Sequence, residues 1–515
     1  MGLFPPMLVP SIVVLFVYAR TQHMYMIVGR FLYGCWYVYA PPVATLQAAL
    51  LESISTGKTK KGAASANAAR SRNKDKAKQQ AVEVGLRQVK IDKQFFLDQA
   101  IGPRAYISNL DHLFVLFGVC AASFVVEELT VQIKSAGPAS FQPCMYLVAL
   151  PALGYALSEL FFISFRLRPS ASSSTNSLER NFVLVVMFLA FCMSWFVILA
   201  DRDEATNFVV PFRVDLSLTR AAHHMVDWAY AELNRTAADP AAKMSTAMRL
   251  AFGMQSVLPV MCAVISAAFL LPALRYGRAL AQIAADFNAN EKSTKRSAEM
   301  FGLVLDFMLS LLLCVSFSKP VAAHMAALLP GVQHSDHVLR FVLGAASFLI
   351  RVIMTRTHFQ AHLDSAFSYI KSAFDKVQQR DVVSVPVPGS GEPKQQERAA
   401  KSGASAFKRS NAPDQIALSA ATQLYTNVVS TNVFSLGAVV LYMAPTYVQM
   451  LLLLLATRHS NVLFCSASGV SIASTGNWAT TAQSVFGMLY MWSVFAWTQF
   501  SILGVIYGKA MQTFG

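Results

Sequence analysis

The sequence predicts an all-α, polytopic membrane bundle of about nine spans, with long helix extensions after two of them. Three observations predict it. Of 515 residues, 55% are hydrophobic and only 14% charged, against about 25% charged in a soluble globular chain. Long apolar runs recur along the whole chain. The excess of basic residues, a net charge of +15, lies between those runs, which makes it a topology signal before it is a nucleic-acid signal.

A membrane helix needs about 20 mostly apolar residues. The runs meeting that demand are 5–19, 113–133, 144–165, 182–200, 251–274, 301–317, 338–354, 418–456 and 482–507. The first is short. Its earliest basic residue, Arg20, follows the apolar run, whereas a signal peptide starts with a basic region, so 1–19 reads as a retained anchor. The run 418–456 exceeds one span and contains Pro445; proline removes a backbone donor and bends a helix, so a long kinked helix is expected. Segment 20–112 reads as a basic cytoplasmic stretch. Within it, QHMYMIVGRFLYGCWYVYA (22–40) suggests an interfacial helix, because its aromatic density suits the headgroup level. Residues 113–354 form the main bundle with an outer loop at 201–250, residues 355–415 a cytoplasmic helix and basic linker, and residues 416–515 a C-terminal pair of spans.

Basic residues set the orientation. Gaps 20–112, 166–181, 275–300 and 355–415 are basic, the first holding about fourteen and the last about nine Lys and Arg. Nine spans place these four gaps on one side, with the N-terminus outside or lumenal and the C-terminus cytoplasmic. The arginine-containing loop 201–250 falls outside. It carries Asn234-Arg-Thr, a glycosylation acceptor if lumenal, and an amphipathic helix with Leu218, Ala221, Met225, Trp228 and Leu233 on one face, capped by Asp215. Stretches 55–80 and 381–412 have the polar, low-complexity composition of disorder, and their charge suits anionic lipid. The host membrane is a plasma membrane or an endomembrane.

Ionisable groups inside spans cost about 2.5–3.5 kcal/mol each on insertion scales and so face protein or water. The candidates are Glu127 with Glu128, Glu159, Asp306 and Arg351. Asp306 and Arg351 both read as nearer the cytoplasmic ends of their spans, where an ion pair is possible. The alternatives are a polar path for a solute, a salt bridge fixing register, or side chains reaching for the interface.

The stretch RVIMTRTHFQAHL (351–363) closes an apolar run. On a helix, Arg351, Thr355, His358 and His362 form one polar stripe, and Arg356 with Gln360 a second pair one turn apart. The helix is expected to continue to about Arg380. A similar exit follows at 270–287, where Arg275 appears at once and Arg278–Gln282 repeats the one-turn spacing; the two helices could pair along a polar seam below the membrane. His358 and His362 have helical metal-ligand spacing, but no HExxH glutamate lies between them, so no metal is expected. The seven cysteines lack a CxxC pair and read as buried small hydrophobes. No phosphate-binding glycine loop, GxSxG or RNA-binding signature occurs, so an enzyme, a cofactor and a nucleic-acid partner are not expected.

FLLPALR (269–275), Lys319-Pro320 and LIRVIMTRTHFQAHL (349–363), with weaker matches at GKTKK (57–61), Glu179-Arg180, Tyr442-Met443-Ala444-Pro445 and the aromatic last span, make the chain resemble the transmembrane protein 161 family of eukaryotic multispan proteins. The resemblance runs from the first span to the C-terminus. It covers Arg351, Arg356, His358 and Gln360, but not His362. It implies an integral membrane protein without an assigned reaction, linked in animal members to ion-current modulation and stress responses. The expected function is therefore non-enzymatic regulation of ion permeation or membrane excitability through protein contacts, with membrane lipids and a membrane protein such as an ion channel as partners. The alternatives are a channel or transporter with a polar path near Asp306 and Arg351, and a structural assembly factor. The oligomeric state is open.

Overall fold

The computed structural model describes residues 35–39, 87–90, 111–125, 144–166, 173–200, 214–232, 240–289, 294–318, 320–321, 335–379, 443–457 and 477–514, with single positions 324, 327 and 422. These residues are almost wholly helical. The helices are α1 (Asp111–Val125), α2 (Cys144–Arg166), α3 (Ser173–Ala200), α4 (Val214–Glu232), α5 (Pro240–Ala289), α6 (Thr294–Ser316), α7 (Ser335–Gln379), α8 (Met443–Thr457) and α9 (Asn477–Phe514). Five of them, α3, α5, α6, α7 and α9, contain stretches long and apolar enough to cross a membrane. Described parts of α1, α2 and α8 are shorter and apolar.

One departure from an all-α fold is a two-stranded antiparallel ribbon. β1 (Trp36–Tyr39) pairs with β2 (Arg87–Lys90), Trp36 opposite Lys90 and Tyr39 opposite Arg87. This corrects the interfacial helix expected over 22–40, at least for positions 36–39; the rest of that stretch lies outside the described residues. Trp-Tyr-Val-Tyr is a run of residues that favour pleated, half-buried backbone. The partner strand comes from 48 positions further on, a pairing that local pattern does not reveal. β1 packs on α7, and the buried Cys35 thiol approaches the Arg356 carbonyl at 3.9 Å.

The helix directions alternate. α5, α7 and α9 run parallel: Trp492 meets Cys262, Trp497 meets Phe269, and Gly504 meets Gly277, while Gly344 lies against Tyr490 and Arg351 against Trp497. α6 runs the other way, with Ser316 beside Arg340 and Gly302 beside Met354. α3 is antiparallel to α5, since Val183 joins the cluster at Leu270 and Trp195 meets Phe252. The C-terminal ends of α5, α7 and α9 thus gather at one end of the bundle, with the N-terminal ends of α3 and α6.

α5 and α7 have 50 and 45 residues. At about 1.5 Å per residue each is roughly twice the 30 Å hydrocarbon thickness, so both are longer than one crossing requires. α7 continues to Gln379 because no glycine or proline interrupts 345–379. α5 begins at Pro240, so the last part of the segment 201–250, read as an outer loop with internal helix, is helical. Proline is favoured at the first helical position, where its missing donor has no partner to lose. Pro445 stands third in the described part of α8; the stretch that would bend against it lies outside the described residues.

The core runs through α5, α8 and α9. α5 and α9 touch backbone to backbone: a Cβ on Gly277 would stand 2.7 Å from the Val505 nitrogen and overlap the Ser501 carbonyl, and one on Gly508 would stand 3.0 Å from Ala281 Cβ. Gly504-Val-Ile-Tyr-Gly508 is a GxxxG pattern facing Ala273, Gly277 and Ala281, the small-residue geometry that lets membrane helices approach closely. α3 is the opposite case. Phe182, Val185, Phe188, Leu189, Met193 and Phe196 are exposed, as suits a helix on the lipid-facing rim.

Candidate functional site

The polar centre is built around Arg351. Each of its three guanidinium nitrogens donates to a different helix or residue: Nε to Asp306 Oδ1 at 2.9 Å, Nη1 to Gln449 Oε1 at 2.5 Å, and Nη2 to Ser310 Oγ at 2.6 Å. Asp306 is equally engaged. Its Oδ2 accepts from the Tyr276 hydroxyl at 2.7 Å, and Oδ1 also faces Ser347 Oγ at 3.4 Å. Gln449 passes the network on, its Nε2 donating to the Ser493 carbonyl at 3.2 Å. The guanidinium plane lies over Trp497, Cζ 4.7 Å from the ring centre. Five helices, α5 to α9, each contribute.

Depth and burial define its character. Asp306 is 0% exposed and Arg351 7%. Asp306 is the eighth of the 18 residues in the apolar stretch Glu299–Ser316, and Arg351 is two residues from the centre of Val338–Gln360. The pair therefore sits close to the middle of both apolar stretches, displaced by only a residue or two towards the ends that the sequence reading placed in the cytoplasm. The span limits read from hydropathy stopped α7 at 354, which made Arg351 look terminal. A buried ion pair is tolerable only when both charges are also hydrogen-bonded, and this one is. Arginine suits the site because its planar fork donates in fixed divergent directions.

The stripe predicted as a seam below the membrane divides in two. Arg351, Thr355 and His358 are buried, while Arg356 on the same helix is exposed and Gln360 half-buried. Thr355 Oγ1 donates to the Arg351 carbonyl and lies 2.9 Å from Met443 Sδ. His358 packs its ring against Tyr276, centroids 4.7 Å apart. So the stripe is bundle core. Between α5 and α7 at this level stand Tyr276 and His358, not the Arg278–Gln282 and Arg356–Gln360 pairs. Arg278 is exposed and sits over Tyr507 of α9, 4.3 Å from its centroid; Arg275 and Gln282 are half-buried.

Glu159 is half-buried on α2 and bonds to neither Arg351 nor Asp306. Glu127, Glu128, Asn234 and the stretches 55–80 and 381–412 lie outside the described residues, as does the His362 side chain. Among the described residues no cluster of three His, Cys, Asp or Glu could hold a metal. Cys35, Cys120 and Cys262 are buried, but Cys192 is exposed on α3, because it falls on the lipid-facing side of that helix.

A second buried arginine escaped the sequence reading. Arg340, 4% exposed, donates through Nε and Nη2 to the Ser316 carbonyl, both at 3.4 Å, and lies over Phe317 at 5.3 Å. A cation at a helix C-terminus offsets the negative end of its dipole. The signal was present: Arg340 and Arg351 are eleven residues apart, close to three full turns, so they share a helix face. Tyr276, Ser310, Gln449, Ser493 and Trp497 were missed too, since a neutral polar or aromatic residue in an apolar run carries no charge to flag it.

Compared with known proteins, the chain matches no family model, no curated protein and no solved structure.

Proposed function

We propose that the chain is a non-enzymatic, multi-pass membrane protein that regulates ion permeation or membrane excitability through contacts with a membrane partner such as an ion channel. The observation that carries this reading is the closed polar centre. Every guanidinium nitrogen of Arg351 is bonded to protein, Asp306 is fully enclosed, and Trp497 covers the pair. A pair so satisfied fixes helix register, and conduction would have to dismantle it. What is left for function is surface: the exposed arginines 278 and 356 and the long extensions of α5 and α7, which lie at one end of the bundle. We place that end, with the four basic gaps, in the cytoplasm, in a nine-span topology with the N-terminus outside or lumenal and Asn234 available for glycosylation. The motif matches at 269–275 and 349–363 support membership of the transmembrane protein 161 family within the same proposal.

The runner-up, a channel or transporter in its own right, draws on the mid-depth position of Asp306 and Arg351. Ionisable groups at that depth commonly mark ion or proton paths.

The test is voltage-clamp recording of cells depleted of the protein and restored with wild type, Arg351→Ala or a double Arg278→Glu/Arg356→Glu variant. The regulator reading expects native currents to change on depletion and to be restored by wild type but not by the charge-reversed variant. Unchanged currents throughout would remove it.

A further inference from the structure

α4 and the first turns of α5 form an antiparallel helical hairpin. Gln255 Nε2 donates to Asp215 Oδ1 at its foot, and Lys243 bridges Asp227 at 2.7 Å near its tip. The two contacts share one register: each step forward on α4 is a step back on α5. Arg220 is therefore level with residue 250, next to Arg249.

The apolar stretch of α5 itself reaches back to Ala241, but two neighbouring helices end theirs at the level of the arginines. α3 leaves its apolar stretch at Leu199, four residues past Trp195, which touches Phe252. α9 enters its own at Thr480, twelve residues before Trp492, which bonds to Cys262. Both place the edge near residues 248–250 of α5. Below this line the hairpin exposes Leu216 (42% exposed) and Phe252 (61%); Trp228 (68%) stands eight residues, about 12 Å, beyond it. At the line stand Arg220 and Arg249, both exposed and, among the described residues, in no ion pair. Met248 and Met244 continue the α5 side for about 6–9 Å, the thickness of a headgroup layer.

We propose that Arg220 and Arg249 bind phospholipid phosphates and that the hairpin is anchored at the interface through them. Apolar side chains below and arginine at the boundary is the order a lipid interface selects. Guanidinium groups pair with phosphate oxygens in a bidentate manner. A free anion would not require the flanking Leu216 and Phe252, and a protein partner would not require the two arginines to match the edge of the apolar layer.

The test uses full-length protein in nanodiscs of phosphatidylcholine with phosphatidylglycerol. Lipid retained after transfer to detergent is measured by native mass spectrometry. Each basic residue near an anionic surface contributes about fivefold to affinity, so Arg220→Gln/Arg249→Gln should weaken phosphatidylglycerol retention by about twenty- to thirtyfold. Arg220→Lys/Arg249→Lys should keep most of it, with melting temperature unchanged in both. A photocrosslinker at Met248, exposed at the level of the two arginines, should yield lipid adducts. Undiminished retention in the glutamine variant, full competition by inorganic phosphate, or adducts to protein alone would each overturn the proposal.

Discussion

Arg351 Nε and Asp306 Oδ1 stand 2.9 Å apart on adjacent antiparallel helices, both buried and close to the middle of their apolar stretches. Neither charge could remain there without the other. Removing one partner of such a pair costs about 3–5 kcal/mol. Arg351→Ala and Asp306→Asn should each lower thermal stability in detergent by that order. The double variant should lose clearly less than the sum, a coupling of at least about 1 kcal/mol. Additive losses would mean that the pair is not an energetic unit. Arg351→Lys should also be destabilising, since one ammonium cannot reach Asp306, Gln449 and Ser310 together.

Tyr276→Phe removes the second hydrogen bond to the carboxylate and little else. A hydrogen bond to a charged group contributes about 1.5–3 kcal/mol. The variant should melt earlier by that amount, and the loss should vanish in an Asp306→Ala/Arg351→Ala background, which leaves no acceptor for the hydroxyl. An equal loss in both backgrounds would place the effect in packing against His358 and Trp497.

The α5–α9 contact gives a prediction of opposite signs. Gly277→Leu or Gly504→Leu must displace backbone, because the Ser501 and Leu274 carbonyls occupy the space of a side chain; folded yield should collapse. Gly118→Ala and Gly253→Ala meet nothing within 4 Å. Alanine there should be neutral or stabilising by up to about 1 kcal/mol, from reduced backbone freedom. Thermal melts of the four variants check both halves.

At the hairpin tip, the hydrogen bond and charge of Lys243 hold the Asp227 carboxyl below its ordinary 3.8, with His223 and His224 adding to the effect. A lowered carboxyl value stabilises the fold above the ordinary range, and the contribution disappears as pH falls through the lowered value. Amide protection in the last turns of α4 should therefore be level near neutrality and fall only under strong acid. Asp227→Asn should show the low protection at every pH. Because the pair is exposed, added salt should shrink the difference. A protection profile indifferent to both would show that Asp227 does not hold the tip.

The apolar spans were legible because α3, α6, α7 and α9 are long runs with few charges inside them. Their limits were less so. Hydropathy alone ends α7 at 354, but the absence of glycine and proline points to its continuation towards Arg380, and α5 runs on past Arg275 as expected. The face of α4 was read in part: Leu218 and Ala221 are buried as expected and Met225 is half-buried, but Trp228 is outside. An exposed tryptophan has the hydrophobicity of a core residue, and periodicity cannot separate the two. Asp306 and Arg351 were visible as charges out of place. Gln449, Ser310 and Tyr276 were not, because their role depends on which helices adjoin. The ribbon of β1 and β2 was hidden for the same reason, its strands being far apart in sequence.

The central claim is that the polar centre is a closed structural lock and not a conduction path. The direct measurement is electrical: purified protein, shown to be folded and inserted, in a planar bilayer, beside Arg351→Ala. A silent wild-type bilayer over a range of voltages and cations is the predicted result. A wild-type conductance that changes when Arg351 is replaced would contradict it and make the Asp306–Arg351 centre part of a pore.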